Sequence, residues 1–189
     1  MRRFLLIILP VLAVSFAAGA YFFNQYWIHR FDEIIERQAA IYRLDPKLVW
    51  SVIYQETYFR PWMEGEDGEI GLMQIMPNTA REWANETGLQ GLEKQIENNH
   101  VAVLSDPERN IQIGCWYLEK LRERFRDTSS PEARALAAYN AGASRVAEWD
   151  KAGENSLPLT EEEFIRRINI PSTQNYVTEI LQRYRNVKR

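Results

Sequence analysis

The stretch that decides the fold, residues 48–74, has the sequence LVWSVIYQETYFRPWMEGEDGEIGLMQ. Its first part predicts an amphipathic helix, because apolar residues recur at the spacing of one helix face, namely Leu48, Val49, Val52, Ile53 and Phe59. Glu56 follows Val52 by four residues and Ile53 by three, so it lies on or beside that apolar face. Partial desolvation there would raise the pKa of the carboxyl group, as a general acid needs near neutral pH. The competing interpretation is an ordinary solvated glutamate.

The second part of the stretch combines an acidic loop with a short apolar segment. Residues 61–68 predict a loop, and Gly71-Leu72-Met73-Gln74 resumes an apolar segment. Four carboxylates lie between the helix and this segment, namely Glu64, Glu66, Asp67 and Glu69. We expect them to border a cleft beside Glu56 and to raise its pKa by like-charge repulsion. The competing interpretation is a solvated loop without a part in catalysis.

Helix-start patterns lie on both sides of this stretch. An N-cap residue followed by proline at the first helical position is predicted at Asp45-Pro46, Asp106-Pro107 and Ser130-Pro131. Asn78 is expected to cap a helix that ends before Gly88, and Thr160 with Glu163 forms a capping-box pattern. These patterns place most of the chain in helices.

The whole chain therefore predicts a mainly α fold. Helices are expected over residues 28–42, 46–59, 79–87, 107–125, 131–142 and 173–184, and residues 88–103 are expected to be a polar connection with little periodicity. No segment alternates convincingly with a period of two, and no internal repeat is present. A length of 189 residues fits one domain with a short extension.

Composition narrows the classes of function. The net charge of -3 gives no broad basic surface, so we expect no nucleic-acid partner. The single cysteine, Cys115, excludes an intrachain disulfide and lacks metal-ligand spacing. His29 and His100 are far apart and lack a patterned partner, so no histidine-based metal or nucleophile site is expected.

The N-terminal segment predicts export. Arg2 and Arg3 precede an almost unbroken apolar run over residues 4–23, about the ~20 residues that span a bilayer. Small residues at 18–20 also resemble a signal-peptide cleavage site. An aromatic belt follows, made of Tyr21, Phe22, Phe23, Tyr26 and Trp27. Length and belt favour an uncleaved membrane anchor over residues 1–27, with residues 28–189 as a separate domain outside the cytoplasm.

Four ordered motifs over residues 41–185 carry a resemblance to a known family. They are Glu56-Thr57, Gly71-Leu72-Met73-Gln74-Ile75-Met76-Pro77 with Thr79-Ala80, Asp106-Pro107 with Asn110-Ile111, Gly114 and Tyr117-Leu118, and Ala138-Tyr139-Asn140-Ala141-Gly142. In these motifs the chain resembles the lytic transglycosylases of the soluble-lytic-transglycosylase type, relatives of goose-type lysozyme. The resemblance implies a lysozyme-like single catalytic domain behind an N-terminal hydrophobic helix.

Three regions of the sequence depart from the family pattern. Thr57 stands where the family has serine, and the loop before Gly71 is far more acidic than is usual. Asn169 and Ser172 stand where the family commonly has proline and glutamate. The wall of the cleft near Ser172 is therefore expected to bind sugar differently.

The resemblance implies cleavage of the β-1,4 bond between N-acetylmuramic acid and N-acetylglucosamine in peptidoglycan, with a 1,6-anhydro ring as the product. Glu56 would be the catalytic residue, and no metal or cofactor would be required. The residues implied to bind the glycan are Thr57, Met73, Gln74, Tyr139, Asn140 and Tyr176. For Met73 core packing is the stronger interpretation, because methionine commonly fills gaps in a core. The tryptophans at 50, 62, 83, 116 and 149 are expected in the core or at the rim.

Two alternatives stay open. A hydrolytic lysozyme would use a carboxylate of the acidic loop to activate water, at ~6.5–9.5 Å from Glu56 in an inverting mechanism. A membrane-tethered module could also keep the fold and bind peptidoglycan without turnover. The sequence specifies no protein partner.

Overall fold

The computed structural model describes residues 2–151 and 158–187, with side chains from Val11 onward except that of Gln90. Over these residues the chain forms ten helices: α1 (Arg2–His29), α2 (Asp32–Ile41), α3 (Pro46–Thr57), α4 (Pro77–Glu86), α5 (Gln90–Leu104), α6 (Pro107–Arg124), α7 (Pro131–Ala141), α8 (Ala143–Trp149), α9 (Glu161–Arg167) and α10 (Pro171–Asn186). The described part holds isolated β-bridges but no strand. The mainly α prediction is confirmed.

Three predicted helix starts form as expected. The Asp45 side chain accepts a hydrogen bond from the Lys47 backbone N–H at the start of α3, and the Asp106 side chain accepts from the Arg109 N–H at the start of α6. Thr160 and Glu163 form the reciprocal capping box of α9. Each bond satisfies a backbone donor that the first turn of a helix leaves unpaired.

Other local predictions were wrong. Helix α4 begins at Pro77, after Met76, and the Asn78 side chain makes no cap. Residues 28–42 do not form one helix, since α1 ends at His29 and α2 begins at Asp32. The expected polar connection is helix α5, which is interrupted at Asn99 where φ is -157°.

The core lies between helices that are distant in the chain. Helix α3 packs between α2 and α10, and α7 packs against α6, α8 and α10. Helices α4 and α5 pack on each other and on α6. The apolar residues of α3 at the centre of this core are fully buried, among them Val49, Val52 and Ile53. Burial of this face holds the C-terminal end of α3, which carries Glu56, against α10.

Helix α1 covers the predicted export segment and continues to the helices that form the core. Over the part of the chain that the structure describes, no helix has the length and apolarity that a membrane crossing requires. The side chains of residues 4–10, the first part of the apolar run, lie outside the described residues. The other end of α1 is packed on the domain, because the Trp50 indole N–H donates to the Ile28 carbonyl at 3.0 Å.

Candidate active site

A small cavity lies where the end of α3, the acidic loop and the end of α7 meet. Its volume is about 170 Å³, and it is lined by Glu56, Asp67, Glu69, Gln74, Met76, Tyr139 and Asn140. The sequence predicted all of these residues at or beside the site except Met76, whereas Glu64 and Glu66, also expected to border the cleft, are not part of the lining. The cavity thus brings together motifs that are separated by more than eighty residues in the sequence.

Glu56 is partly buried in the last turn of α3. Burial raises the pKa of its carboxyl group to about 7, and the charge of Glu69 acts in the same direction. The Tyr176 hydroxyl donates a hydrogen bond of 2.5 Å to Oε1 of Glu56, and this bond lowers the pKa. The net result is a carboxyl group that holds its proton up to neutral pH and can still release it.

Two tyrosines complete the surroundings of Glu56. Burial is the largest cause that raises the pKa of the phenols of Tyr139 and Tyr176 well above the ordinary value, followed by the nearby charge of Glu56. Both hydroxyl groups therefore stay protonated and act as hydrogen-bond donors. Tyr176 comes from α10, 120 residues after Glu56.

The segment 70–75 forms the opposite wall and is fixed by the buried side chain of Asn110. Its Nδ2 donates to the carbonyls of Ile70 and Leu104, both at 2.8 Å, and its Oδ1 accepts from the Met73 N–H at 2.7 Å. Gly71 has φ of +78°, and a Cβ there would lie 2.3 Å from the Leu104 carbonyl oxygen. Only glycine fits this approach.

Gln74 projects from this segment into the cavity. Its backbone φ is +47°, and its side-chain Nε2 donates to the Gly71 carbonyl at 2.9 Å. A second carbonyl, that of Met63, lies at 3.3 Å from the same nitrogen. With its nitrogen engaged in this way, the side-chain oxygen of Gln74 is the atom left to accept a bond from a ligand.

Thr57 and Met73 lie behind the wall instead of on its surface. The exposed fraction of Thr57 is 1%, and its hydroxyl donates to the Leu72 carbonyl at 3.1 Å. Met73 is fully buried against Gly114, and its carbonyl accepts a bond of 2.7 Å from the Tyr139 hydroxyl. These two side chains have almost no exposed surface with which to contact glycan, contrary to the prediction. Both instead support the wall from inside the core.

Asn140 is exposed at the end of α7 and faces the cavity. Its Oδ1 accepts a bond of 2.7 Å from the hydroxyl of Thr173, which fixes the amide so that its nitrogen is available to a ligand. The short turn after it uses Gly142, where φ is +89°. Thr173 and Met76 were not among the predicted site residues, because neither carries an ionisable group that its spacing in the sequence would make prominent.

The unusual residues near the C-terminus lie outside the cavity lining. Asn169 accepts a hydrogen bond of 2.9 Å from the Trp149 indole, and Ser172 is exposed at the start of α10. Of the tryptophans expected in the core or at the rim, Trp62 is the exposed one, with 60% of its surface accessible, and the other four are buried. Cys115 is also buried, and burial raises the pKa of its thiol.

The described residues contain no group of three or more histidine, cysteine, aspartate or glutamate side chains that could hold a metal ion. The polar groups of the cavity are carboxylates, amides and phenols. Such groups can transfer a proton and hold hydroxyl or amide groups of a carbohydrate.

Comparison with known proteins places this architecture in context. A family model described as "Transglycosylase SLT domain" matches residues 33–158. The membrane-bound lytic murein transglycosylase F of Desulfosudis oleivorans is 35% identical over 129 residues, which are 67% of this chain and 25% of that protein. The membrane-bound lytic murein transglycosylase E of Buchnera aphidicola is 29% identical over 175 residues, which are 89% of this chain and 74% of that protein.

A solved structure shares the fold. The inactive Glu-to-Gln mutant of the lytic transglycosylase Slt from Pseudomonas aeruginosa superposes with a TM-score of 0.70 and 26% identity, over 84% of this chain and 24% of that protein. The chain thus spans about a quarter of this protein and of the first relative.

Proposed function

The chain belongs to the transglycosylase SLT domain family, and on that premise we propose that it is a lytic transglycosylase of peptidoglycan. The bond cleaved is the β-1,4 bond between N-acetylmuramic acid and N-acetylglucosamine. The product carries a 1,6-anhydro ring on the muramic acid. The observation that carries this proposal is the carboxyl group of Glu56, which has a pKa of about 7 and lies in a cavity lined by hydrogen-bonding groups.

Glu56 begins the reaction as the acid. Because its pKa is near 7, a large fraction of the enzyme holds the proton at neutral pH. Glu56 gives this proton to the glycosidic oxygen as the bond to the anomeric carbon breaks, and the glucosamine leaves with a free 4-hydroxyl group. The 2-acetamido group of the muramic acid stabilises the anomeric cation, so no second enzyme carboxylate is needed for this step.

Glu56 ends the reaction as the base. Its carboxylate takes the proton of the 6-hydroxyl group of the muramic acid while O6 attacks the anomeric carbon, which closes the anhydro ring and restores the protonated acid. The nucleophile belongs to the same sugar, so its effective concentration favours it over water. The Tyr176 hydroxyl, which donates to Glu56, supports the carboxylate at the stage when it is charged.

The side chains that face the cavity orient the substrate. Gln74 and Asn140 each have one side-chain atom engaged within the protein and one left for a ligand, so they can hold hydroxyl or acetamido groups. Tyr139 contributes its ring, because its hydroxyl is bound to the Met73 carbonyl. Thr57 and Met73 act indirectly, by fixing the wall.

The test is mass spectrometry of muropeptides that the full-length protein releases from purified peptidoglycan. Anhydro ends are expected from the wild type. Glu56→Gln should lower the rate by at least ~10²–10⁴-fold, the usual cost of losing a general acid, while leaving the fold unchanged. More than a tenth of wild-type activity in the Gln variant would remove Glu56 from its role.

A hydrolytic lysozyme is the second candidate, because Asp67 and Glu69 line the same cavity as Glu56. Either carboxylate could activate water if it faced the opposite side of the sugar ring. The products separate the two reactions, since hydrolysis leaves reducing ends. Reducing ends that disappear in Asp67→Asn or Glu69→Gln would establish the hydrolase instead.

We further propose that the enzyme works outside the cytoplasm, held at the membrane by residues 1–27. The apolar run, the preceding arginines and the aromatic belt support this location, and two of the relatives named above are membrane-bound. The full-length protein should stay in the membrane fraction after an alkaline wash, with its N-terminus at residue 1 or 2. A mature N-terminus near Tyr21 would instead indicate a cleaved signal peptide.

A further inference from the structure

An aromatic groove lies between the last turns of α1 and the loop that follows α3, at the C-terminal end of α3. The groove has a volume of about 430 Å³ and is lined by Phe23, Asn24, Trp27, Tyr58 and Arg60. Trp62 stands at its edge, with its ring centroid 5.9 Å from that of Trp27. We call this surface the Trp62 patch, made of Phe23, Trp27, Tyr58, Arg60 and Trp62.

The patch is rigid, because α1 is clamped to the end of the catalytic helix. The Trp27 indole N–H donates to the Tyr58 carbonyl at 2.9 Å. The Arg30 guanidinium carbon lies 3.5 Å from the centroid of the Trp27 ring, and the same side chain donates to the Phe59 carbonyl. The Tyr58 hydroxyl also bonds the side chain of Asn24. Helix α1 and the catalytic domain are therefore one body at this point, and the connection is not a flexible tether.

The patch lies just beyond the apolar run. Trp27 follows Phe23, the last residue of that run, by four residues, which is about 6 Å along a helix. The headgroup layer on each side of a bilayer is roughly 5–8 Å thick. If residues 4–23 span the hydrocarbon, Trp27 and its neighbour Trp62 fall within the headgroup layer.

The chemistry of the patch suits that layer. Trp62 and Tyr58 have exposed fractions of 60% and 36%, and Phe23 has one of 64%. Tryptophan and tyrosine prefer membrane interfaces because their rings are apolar and their polar atoms can stay hydrated. Isolated exposed aromatics are common on soluble surfaces, but here they adjoin one another and include residues from two separate parts of the chain.

Arg60 adds a positive charge without a carboxylate partner. Its Nε donates to the Thr57 carbonyl at 2.7 Å, and within the described part of the chain it forms no ion pair. Arg60 lines the groove, where its guanidinium group could bind a pair of phosphate oxygens. The phosphate of a phospholipid headgroup offers this arrangement.

We propose that the catalytic domain lies directly on the membrane through the Trp62 patch, which inserts into the phospholipid headgroup layer with Arg60 on lipid phosphate. The proposal rests on the proposed anchoring by residues 1–27. Tyr58 is two residues after Glu56, so their Cα atoms are at most about 7 Å apart. The enzyme would therefore act on glycan that lies close to the membrane surface.

The test uses the full-length protein in vesicles of phosphatidylethanolamine and phosphatidylglycerol, with or without bromine on the acyl chains near the headgroup. Bromine quenches tryptophan fluorescence only at contact distance. Trp62→Phe should remove about half of the quenched intensity, because Trp27 and Trp62 are the tryptophans expected in the interface. Trp116→Phe is the matched control, since Trp116 lies in the core and its loss should leave the quenched intensity unchanged.

Charge reversal tests the arginine separately. Arg60→Glu should reduce the quenching of Trp62 by repulsion from lipid phosphate, whereas Arg124→Glu, at an exposed position of α6, should not. Anhydro-muropeptide release by detergent-solubilised protein should be the same in Trp62→Phe as in the wild type, which shows that the fold is kept.

The outcomes separate this proposal from the proposed function. Quenching that is present in the wild type and unchanged by Trp62→Phe means that the domain stands off the membrane, and this overturns the proposal. Absence of quenching in the wild type overturns both the patch and the anchor, whereas the muropeptide assay decides the catalytic proposal independently.

Discussion

Glu56 lies under opposing influences that together set its pKa near 7. Burial and the charge of Glu69 raise the value, and the hydrogen bond from Tyr176 lowers it. Because the proposed mechanism uses Glu56 first as an acid, the rate should fall as pH rises through this pKa. Changes to the two neighbours should therefore move the alkaline limb of the rate profile in opposite directions.

Glu69→Ala removes a negative charge near Glu56, so the pKa of Glu56 should fall and the alkaline limb should move to lower pH. Tyr176→Phe removes a bond to the charged form, so the limb should move to higher pH. The measurement is kcat/KM for a soluble glycan between pH 5 and 9. Glu66→Ala is the control, because Glu66 is exposed and outside the cavity lining. A Glu69→Ala profile that superimposes on the wild type would make Glu69 a solvated rim charge.

The raised pKa of Glu56 also lowers the stability of the folded protein at neutral pH. Its pKa is raised from 4.5 to about 7 on folding, so the wild type loses stability as pH rises from about 4.5 to 7 and stays less stable above that range. Glu56→Gln cannot ionise. It should exceed the wild type in free energy of unfolding at pH 8 by up to about 3 kcal/mol, with the difference vanishing at or below pH 4.5.

Urea denaturation at pH 4.5 and pH 8 measures this difference. Glu66→Gln, an exposed change of the same type, should show no such dependence on pH. A Glu56→Gln difference that is equal at the two pH values would mean that the carboxyl group is not desolvated in the folded protein.

For individual residues, the sequence predicted the burial of Glu56 but not the orientation of every side chain around it. The apolar spacing around Glu56 indicated its partial burial, which the structure confirms. The same spacing gave no information on where the Thr57 hydroxyl would point, and it bonds the Leu72 carbonyl instead of facing the cavity. Such a contact depends on how α3 meets the segment 70–75, which is a tertiary property.

Among the elements, the segment 70–75 depends most on one side chain from elsewhere. Asn110 makes hydrogen bonds to three backbone groups around this segment, while Gly71 and Gly114 permit the close approach. The segment has no regular secondary structure to satisfy these groups itself. The position of the wall that carries Gln74 therefore depends on α6, through the side chain of Asn110.

Asn110→Ala should thus lower the free energy of unfolding by roughly 2–5 kcal/mol, because it leaves buried backbone donors and acceptors unpaired. It should also lower activity, since Gln74 would lose its fixed position. Chemical denaturation followed by circular dichroism measures the first effect. Asn98→Ala, at an exposed position of α5, is the matched control and should change stability by less than about 0.5 kcal/mol. A similar small effect at Asn110 would contradict the role assigned to it.

The elements that the sequence predicted well were those with a local start pattern. Asp45 and Asp106 cap their helices by short-range bonds that two or three residues determine. Helix α5 was missed because its apolar residues, such as Leu92 and Ile96, are sparse and the helix is interrupted at Asn99. Its stability comes from packing against α4 and α6, which periodicity does not reveal.

In the whole molecule, the N-terminal helix and the catalytic domain pack against each other across the predicted boundary. The sequence placed it after Trp27, at the end of the aromatic belt. The structure shows that Trp27 and Ile28 both contact the domain, through the Tyr58 carbonyl and the Trp50 indole respectively. No local pattern could indicate these contacts, since the partners are 31 and 22 residues apart. The last turns of α1 are therefore part of the folded domain.

Two truncated proteins distinguish these boundaries. A protein that begins at residue 20 keeps the clamp of Trp27, Ile28 and Arg30, whereas one that begins at residue 31 loses it. The shorter protein should be less stable by on the order of 3 kcal/mol, because it loses the burial of Ile28 and leaves the Trp50 indole without its acceptor.

Urea unfolding of both proteins, monitored by circular dichroism, measures the difference. Trp50→Phe supplies the matched control, because it removes the indole N–H and should narrow the gap between the two lengths. Equal stability of the two proteins would contradict the clamp and would return the boundary to the position after residue 27.

A signal peptidase that cut near residue 20 would leave the same residues in place as an uncleaved anchor does. The rigid connection between α1 and the catalytic helix would therefore survive either fate of the N-terminus, and the membrane assay and the stability assay test separate properties of the chain.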